Sequence, residues 1–255
     1  MRKLLAAWFL PLLLPCAQAA ELPVGNCKNP MAATDLSACD FTRAKLAGRD
    51  LRGARLSGAK LEGTDLRRAN LSGADLSGSN AKWANFSGAA LQAADLRNAD
   101  VFHAIFDAAD LSDARLAGAN LFGANLIETR APRADFTGAY LKDVLMEGID
   151  LSGGSLRNCY ALRGVFLGAR LVGTDLSGAD LTGAAADSAD FTEARLVRTK
   201  LLGATLRHAN FSGSDMAEAE LANADVWDAS FDQARNRPPS VLDALIEPFV
   251  VRDRR

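Results

Sequence analysis

Every fifth residue from 36 to 231 can be read off without one insertion or deletion, and almost all of them are large and apolar. Those 40 positions hold 24 Leu, 8 Phe, 2 Met and 2 Val, the exceptions being Ala81, Ala131, Ala161 and Ala186. Two residues before each lies a small slot, Ala at 26 of 40 and Thr at 5. Asp or Asn directly precedes the large residue at 21 of 40, and Gly follows two later at 18 of 40. The run Ala69-Asn70-Leu71-Ser72-Gly73 is the unit. An α-helix advances about 100° per residue, so positions five apart drift by about 140° and make no apolar stripe. Gly and Asp at such frequency are also costly inside a helix. Apolar positions two apart share one face of an extended segment, and Gly with Asp or Asn supplies turn chemistry between segments. Each unit is therefore one short strand-like side and a corner, with large and small side chains alternating into a narrow tube.

Four sides to a coil give a 20-residue superperiod. Phe86 and Phe106 then share one internal column, and Phe191, Phe211 and Phe231 another. One outward column reads Asp35, Arg55, Asp75, Asp95, Arg115, Asp135, Ser155, Asp175, Arg195, Asp215, where an Arg falls between two Asp three times. Neighbours ~4.8 Å apart in such a column attract, contributing roughly 0.2–1 kcal/mol per opposite-charge pair.

The tandem Ala-(Asp/Asn)-Leu-x-x unit resembles the pentapeptide-repeat family over residues 34–233. That resemblance implies an all-β fold, a right-handed quadrilateral β-helix of about ten coils, on the order of 48 Å long. Departures concentrate in the middle: Val144 and Ile149 replace Ala, Gly154 and Gly164 leave gaps, and Pro132 falls outside the apolar pair. Distortion of coils five to seven is the expectation there.

Arg2 and Lys3 precede a Leu-rich run over 4–14, followed by Ala17-Gln18-Ala19. This is the layout of a cleaved secretory signal peptide at 1–19; the apolar run falls short of the roughly 20 residues that span a bilayer. Pro11 and Pro15 argue against a buried helix. Cys16 offers a lipoprotein variant, the one route to membrane attachment, although Pro15 is a poor residue before a cut. Periplasmic or other exported residence is expected, and the chain's net charge of −2 becomes −4 on cleavage.

A solenoid exposes its core at both ends and needs caps. Residues 20–33 serve at the N-terminus, where a Cys27–Cys39 disulfide is expected after export. Cys159, in a small inward slot, reads as an inert buried thiol. At the C-terminus, 234–255 form a cap and tail: Ser240 with Asp243 starts a short helix, with Leu242, Leu245 and Ile246 as its apolar face. By the family's habit, Phe249, Val250 and Val251 are candidate dimer contacts.

Catalysis has little to stand on. His103 and His208 are 105 residues apart, neither adjoins a Cys at ligand spacing, and no elbow motif activates a serine. No cofactor or metal is expected. The family's quinolone-resistance members suggest a DNA-mimicking rod binding a topoisomerase. A mixed surface at −4 imitates poorly a duplex with one charge per ~1.7 Å, and an exported protein would not meet that enzyme. No nucleic-acid partner is expected.

A rigid structural or protein-binding scaffold remains. Sides centred on 36+20n and 51+20n are almost wholly polar outside. The side centred on 41+20n carries Trp83, Phe102, His103, Phe122, Tyr140, Tyr160 and Leu162, and the next adds Ile105, Ile127, Leu145, Val165 and Leu167. Such a patch marks an interface with aromatic anchors, for a protein partner or a self-dimer.

Overall fold

The computed structural model describes residues 21–239 and Val241. The expected signal peptide, Cys16, Ser240, and the residues from Leu242 through Val251 to the end lie outside the described residues.

Each five-residue unit folds the same way. The large residue opens a turn closed by the amide of the small residue three later, as in Ala74 N–H to Leu71 O at 2.9 Å. The third residue of every such turn from 43 to 233 has φ between about +50° and +70°, the mark of a type II turn. Glycine takes this position freely, but Arg43, Trp83, His103 and others adopt it as well.

In the coils between the two ends, four of the five backbone amides of each unit find carbonyls, as buried amides require. The large residue and the left-handed residue donate along the rod, as in Leu36 to Arg55 O and Gly48 to Arg67 O, both 2.8 Å. The residue before each large one donates back to the preceding coil, as in Arg55 to Thr34 O at 2.9 Å. That leaves the first amide of the turn, which the side chain two residues earlier accepts where it is Asp or Asn. Asp35 Oδ1 takes Ser37 N–H at 3.0 Å, and Asn85 Oδ1 takes Ser87 N–H at 2.9 Å. This is why Asp and Asn fill the slot before the large residue. Pro132 sits where it has no amide to satisfy, at the second position of a turn where its fixed φ is favoured.

Pairing between coils is a single-residue parallel bridge on each side, always 20 apart: Asp35 to Arg55, Arg55 to Asp75, and onward to Asp215 with Arg235. Four sides close each coil, and the register never slips between these ends.

Inside, the large residues are almost fully buried from end to end, each contributing roughly 1.5–3 kcal/mol. Phe86 stacks on Phe106 at 4.7 Å, Phe191 on Phe211 at 4.7 Å, and Phe211 on Phe231 at 5.0 Å. Four small slots hold Thr64, Thr129, Thr174 and Thr199, whose hydroxyls donate to carbonyls of the preceding coil at 2.7–2.9 Å. Arg49 is the exception, exposed in a small slot of the first coil.

The expected distortion of the middle coils is not there. Val144 and Ile149 are completely buried in regular turns. A Cβ on Gly164 would meet Phe166 Cε2 at 2.8 Å and Val144 Cγ1 at 3.3 Å, and one on Gly154 would meet Ala134 O at 2.7 Å. Glycine therefore makes room for larger neighbours, and volume is conserved across adjacent coils rather than within each slot.

At the N-terminal end, Val24 bridges Asp35, with Gly25 N–H to Asp35 O and Asp35 N–H to Pro23 O both at 2.8 Å. Gly25 lies flat on the core, since a Cβ there would come within 2.5 Å of Leu36 Cδ2. A disulfide joins Cys27 to Cys39, with Cα atoms 5.5 Å apart. At the other end, Pro239 and Val241 are helical, and Val241 is buried against the core.

Candidate binding surface

The aromatic side chains form one continuous line. Phe102 and Phe122 occupy the same turn position in successive coils, with ring centroids 5.3 Å apart and planes 7° from parallel. Tyr140 and Tyr160 occupy the neighbouring corner column and stack at 5.4 Å. The columns join diagonally, because Phe122 also stacks on Tyr140 at 6.1 Å. Trp83 closes the N-terminal end with its edge on Phe102 at 5.5 Å. These centroid spacings suit aromatic pairs worth about 0.5–1.5 kcal/mol each. Phe102, Phe122 and Tyr140 each meet a ring on both sides, and Trp83 and Tyr160, both exposed, end the line.

His103 contacts Phe102 at 4.4 Å and Phe122 at 5.7 Å, and its Nδ1 lies 3.1 Å from Gly123 O. Both Trp83 (φ 52°) and His103 (φ 51°) project from left-handed turn positions, a conformation costly for bulky residues. Lys142 Nζ lies 5.8 Å from the centre of the Phe122 ring, within cation–π range.

The aliphatic part is less continuous. Ile105, Ile127, Leu162, Val165 and Leu167 are half-buried, while Leu145 is exposed. Asn125 separates Ile105 from Leu145 in one column, and Glu147 separates Ile127 from Leu167 in another. The twelve residues thus share two adjoining sides, with the rings as their unbroken part.

Sequence reasoning passed over three features of these sides. Trp227, 57% exposed, meets His208 edge-on at 4.7 Å, and His208 Nδ1 lies 2.9 Å from Asp228. Trp227 occupies the same outward column as Ile127, which could have flagged it. Lys142 was the second, and the carboxylates of Asp107, Glu128 and Glu147 the third.

Electrostatics around the line are mostly neutralised. Arg163 pairs with Asp143 at 2.7 Å, holding that carboxyl below the usual range, and Lys82 pairs with Asp100 at 3.1 Å. Burial pushes Asp107 upward, and pushes the enclosed Cys159 thiol to about 12. Among the described residues no group of His, Cys, Asp and Glu is placed to hold a metal ion. An open groove of about 660 Å³, lined in part by Arg67, Arg68, Ser87 and Asp107, holds no histidine or cysteine.

Fold and surface together define a square β-solenoid that presents a side rather than a cleft. The chain belongs to the pentapeptide-repeat family: the pattern described as pentapeptide repeats matches in eight copies between residues 34 and 235. Proteins of this family fold as right-handed quadrilateral β-helices and are generally structural or binding proteins. Among solved structures, QnrB1, a plasmid-mediated fluoroquinolone resistance protein, is 21% identical with a TM-score of 0.51, covering 79% of this chain and 94% of that one. HetL, involved in heterocyst differentiation regulation in the cyanobacterium Nostoc sp., is 28% identical over 76% of this chain and 87% of its own, with a TM-score of 0.33. A pentapeptide repeat protein of the Arabidopsis thaliana thylakoid lumen is 36% identical, covering 41% of this chain and 70% of that one, with a TM-score of 0.26. No curated protein matches the sequence.

Proposed function

We propose that this protein is an exported, rigid scaffold that binds another protein along the aromatic line of its side. The carrying observation is that line: five aromatic side chains in contact, Trp83 through Tyr160, on the outside of a rod whose core is already full. Large contiguous apolar surface on a soluble protein marks an interface, and aromatic residues are its usual anchors. A β-helix of ten coils holds such residues at fixed spacing, so little ordering entropy opposes binding.

In this reading, residues 1–19 are cleaved as a signal peptide and the mature protein works in the periplasm or outside the cell. The Cys27–Cys39 disulfide supports an oxidising compartment. Residues 20–33 cap one end of the 34–233 solenoid, and a helix within 234–255 caps the other. The protein is not an enzyme. Paired charges along the rod, such as Arg55 with Asp35 at 3.0 Å and Arg133 with Asp113 at 2.6 Å, speak against a reading as a polyanionic DNA mimic.

The test is affinity capture from the periplasm with crosslinking, using the mature protein and a variant with Phe102, Phe122 and Tyr160 changed to Ser. Capture or dimerisation should be lost in the variant while its β-rich circular dichroism is kept. Survival of both would remove the line as the binding site.

A further inference from the structure

One side of the rod lies between two corners that complement each other. Its middle column runs Asn85, Ile105, Asn125, Leu145, Val165. One corner carries Trp83, His103, Phe122, Lys142 and Leu162, and the other carries Arg68, Asp107, Ile127, Glu147 and Leu167. Corner residues at equal height are five apart in sequence. At the left-handed turn positions, a large residue on one corner is matched by Gly or Ala on the other through seven successive coils, from Arg43 with Gly48 to Arg163 with Gly168. Trp83 with Gly88, His103 with Ala108 and Glu128 with Gly123 fall between them. Each of the other three sides pairs Gly with Gly at least once, as Gly48 with Gly53. One residue earlier in the turn, Phe122 is matched with Ile127, Leu162 with Leu167, and Lys142 with Glu147.

Within one chain these matches go unmade at Gly48 and Gly168, which have nothing within 4 Å of where a Cβ would stand. Among the described residues, neither Lys142 nor Glu147 has an oppositely charged side chain within 4.0 Å. The groove of about 660 Å³ runs along the second corner, past Gly88, Asp107 and Ala108. Asp107 Oδ1 is buried there with no hydrogen-bond donor. A surface that carries both halves of its own complement, left and right of its midline, fits a second copy turned by 180°.

We propose that two copies of this chain pair side by side and parallel, about a two-fold axis running along this side. Each corner then faces the other corner of the second copy at equal height, and the middle column faces itself. Phe122 packs on Ile127, Leu162 on Leu167, and Lys142 meets Glu147, each contact occurring twice. Trp83 enters the groove over Gly88, where the stem of Arg68 leans, its Cγ 3.6 Å from the Cβ position of that glycine. Guanidinium and indole are thereby set against each other, a cation–π arrangement. His103 leans over Gly123 and so faces Glu128 and Asp107 of the second copy. Ile105, Leu145 and Val165 meet their own copies, and the amide of Asn125, both donor and acceptor, can bond its own. Lys45 and Asp65 of the same column would meet like charges, so the contact proper runs from Asn85 to Val165, about five coils or ~24 Å. This goes beyond the aromatic line and does not rest on it: Tyr140 and Tyr160 lie on the neighbouring side and stay open to a foreign partner.

Sedimentation and crosslinking of the mature full chain test this. The protein should sediment as a dimer as its concentration rises. Asn85→Cys and Asn125→Cys, each alone, should link to the same residue of a second copy through a bismaleimide of ~10 Å, the face-to-face spacing of packed sheets, about tenfold more than Arg115→Cys on the opposite side. Lys142→Glu sets like charges together twice per dimer and should weaken pairing about tenfold, and adding Glu147→Lys should restore it. A monomer throughout the concentration series overturns the proposal. So does linking at only one of the two Asn positions, which an antiparallel pair would give, or a charge swap that fails to rescue while circular dichroism is unchanged. If Tyr140→Ser with Tyr160→Ser abolishes capture of other proteins and no dimer forms, the aromatic line stands and the pairing falls. If the dimer and both links form while capture ignores the rings, the pairing stands alone.

Discussion

Ser79→Ala should stabilise this protein, although it deletes a polar group from a regular coil. Ser79 occupies a small inward slot, 1% exposed, and its Oγ is buried with no hydrogen-bond partner. Its backbone is fully used, with N–H to Leu76 O at 3.1 Å and O accepting from Asp100 N–H at 2.9 Å. Only the hydroxyl is orphaned. The slots directly below and above hold Ala59 and Ala99, so a methyl group suits this wall. Relief of an unsatisfied buried hydroxyl is worth about 1 kcal/mol, the low end of the range for such groups. For a domain of this size, that raises Tm by roughly 2–4 °C. Thr64→Ala supplies the opposite sign. Its Oγ1 donates to Phe41 O at 2.7 Å, so truncation loses a hydrogen bond and a buried methyl, about 2 kcal/mol together. Calorimetric melting of wild type and both variants decides the matter. If Ser79→Ala lowers Tm as far as Thr64→Ala does, the assignment of Ser79 as an unpaired passenger is wrong.

Three further outcomes are expected. Leu121→Asp buries an unpaired charge at a fully enclosed position and should abolish folding, whereas half-buried Phe122→Asp should cost about 1–2 kcal/mol through its lost stacking; equal losses in urea titration would sink the inside/outside assignment. Alkylation of the mature protein, from which Cys16 has been cleaved, at pH 8 under native, non-reducing conditions should label none of its three cysteines, since Cys27 and Cys39 are joined and the Cys159 thiol is buried and pushed to about 12; labelled Cys159 in folded protein would contradict this. Asp40, hydrogen-bonded by Thr42, and Asp65, hydrogen-bonded by Arg67, have carboxyls lowered to about 2. Because these folded values lie below the unfolded one, their contribution is present above pH ~4 and is lost as pH falls toward 2. Melting temperatures at pH 5, 3 and 2 should therefore decline, and a flat profile would count against these pairings.

Much of this architecture was written plainly in the five-residue period. The core slots follow from side-chain alternation, because one slipped residue would turn every Leu outward; the 20-residue register was only supported, by the columns of Phe and of Asp with Arg, since a shift of five keeps every Leu inside. Other features arise only between coils. Trp83 and His103 give no local sign of a left-handed conformation; the neighbouring coils impose it against their preference. Gly164 looked like a gap until Val144 and Phe166 were seen to fill it. Phe102 over Phe122 was legible from the superperiod, but the Phe122–Tyr140 contact was not. It crosses a corner between residues 18 apart, a spacing that also joins Gln92 to Asp110 and Arg207 to Asp225. Why Asp and Asn precede the large residue was readable as corner chemistry; which amide they cap was not.

The bridges at intervals of 20 residues have a consequence for how this gene can change length. Losing or duplicating 20 residues within the repeats removes or adds one whole storey and returns every downstream side chain to the face it had. Losing five keeps each Leu inside, so the tube still closes. Everything beyond the cut is nevertheless turned by a quarter revolution: for a cut between Phe122 and Tyr140, Tyr140 and Tyr160 leave the face of Phe102 and Phe122, and the Arg–Asp pairs spanning the cut are separated. Foldability is therefore quantised in fives, while whatever the sides recognise is quantised in twenties. Variants of this rod that differ by whole storeys outside the aromatic line should keep their partner, and those that lose a single unit between Phe122 and Tyr140 should fold and fail to bind it.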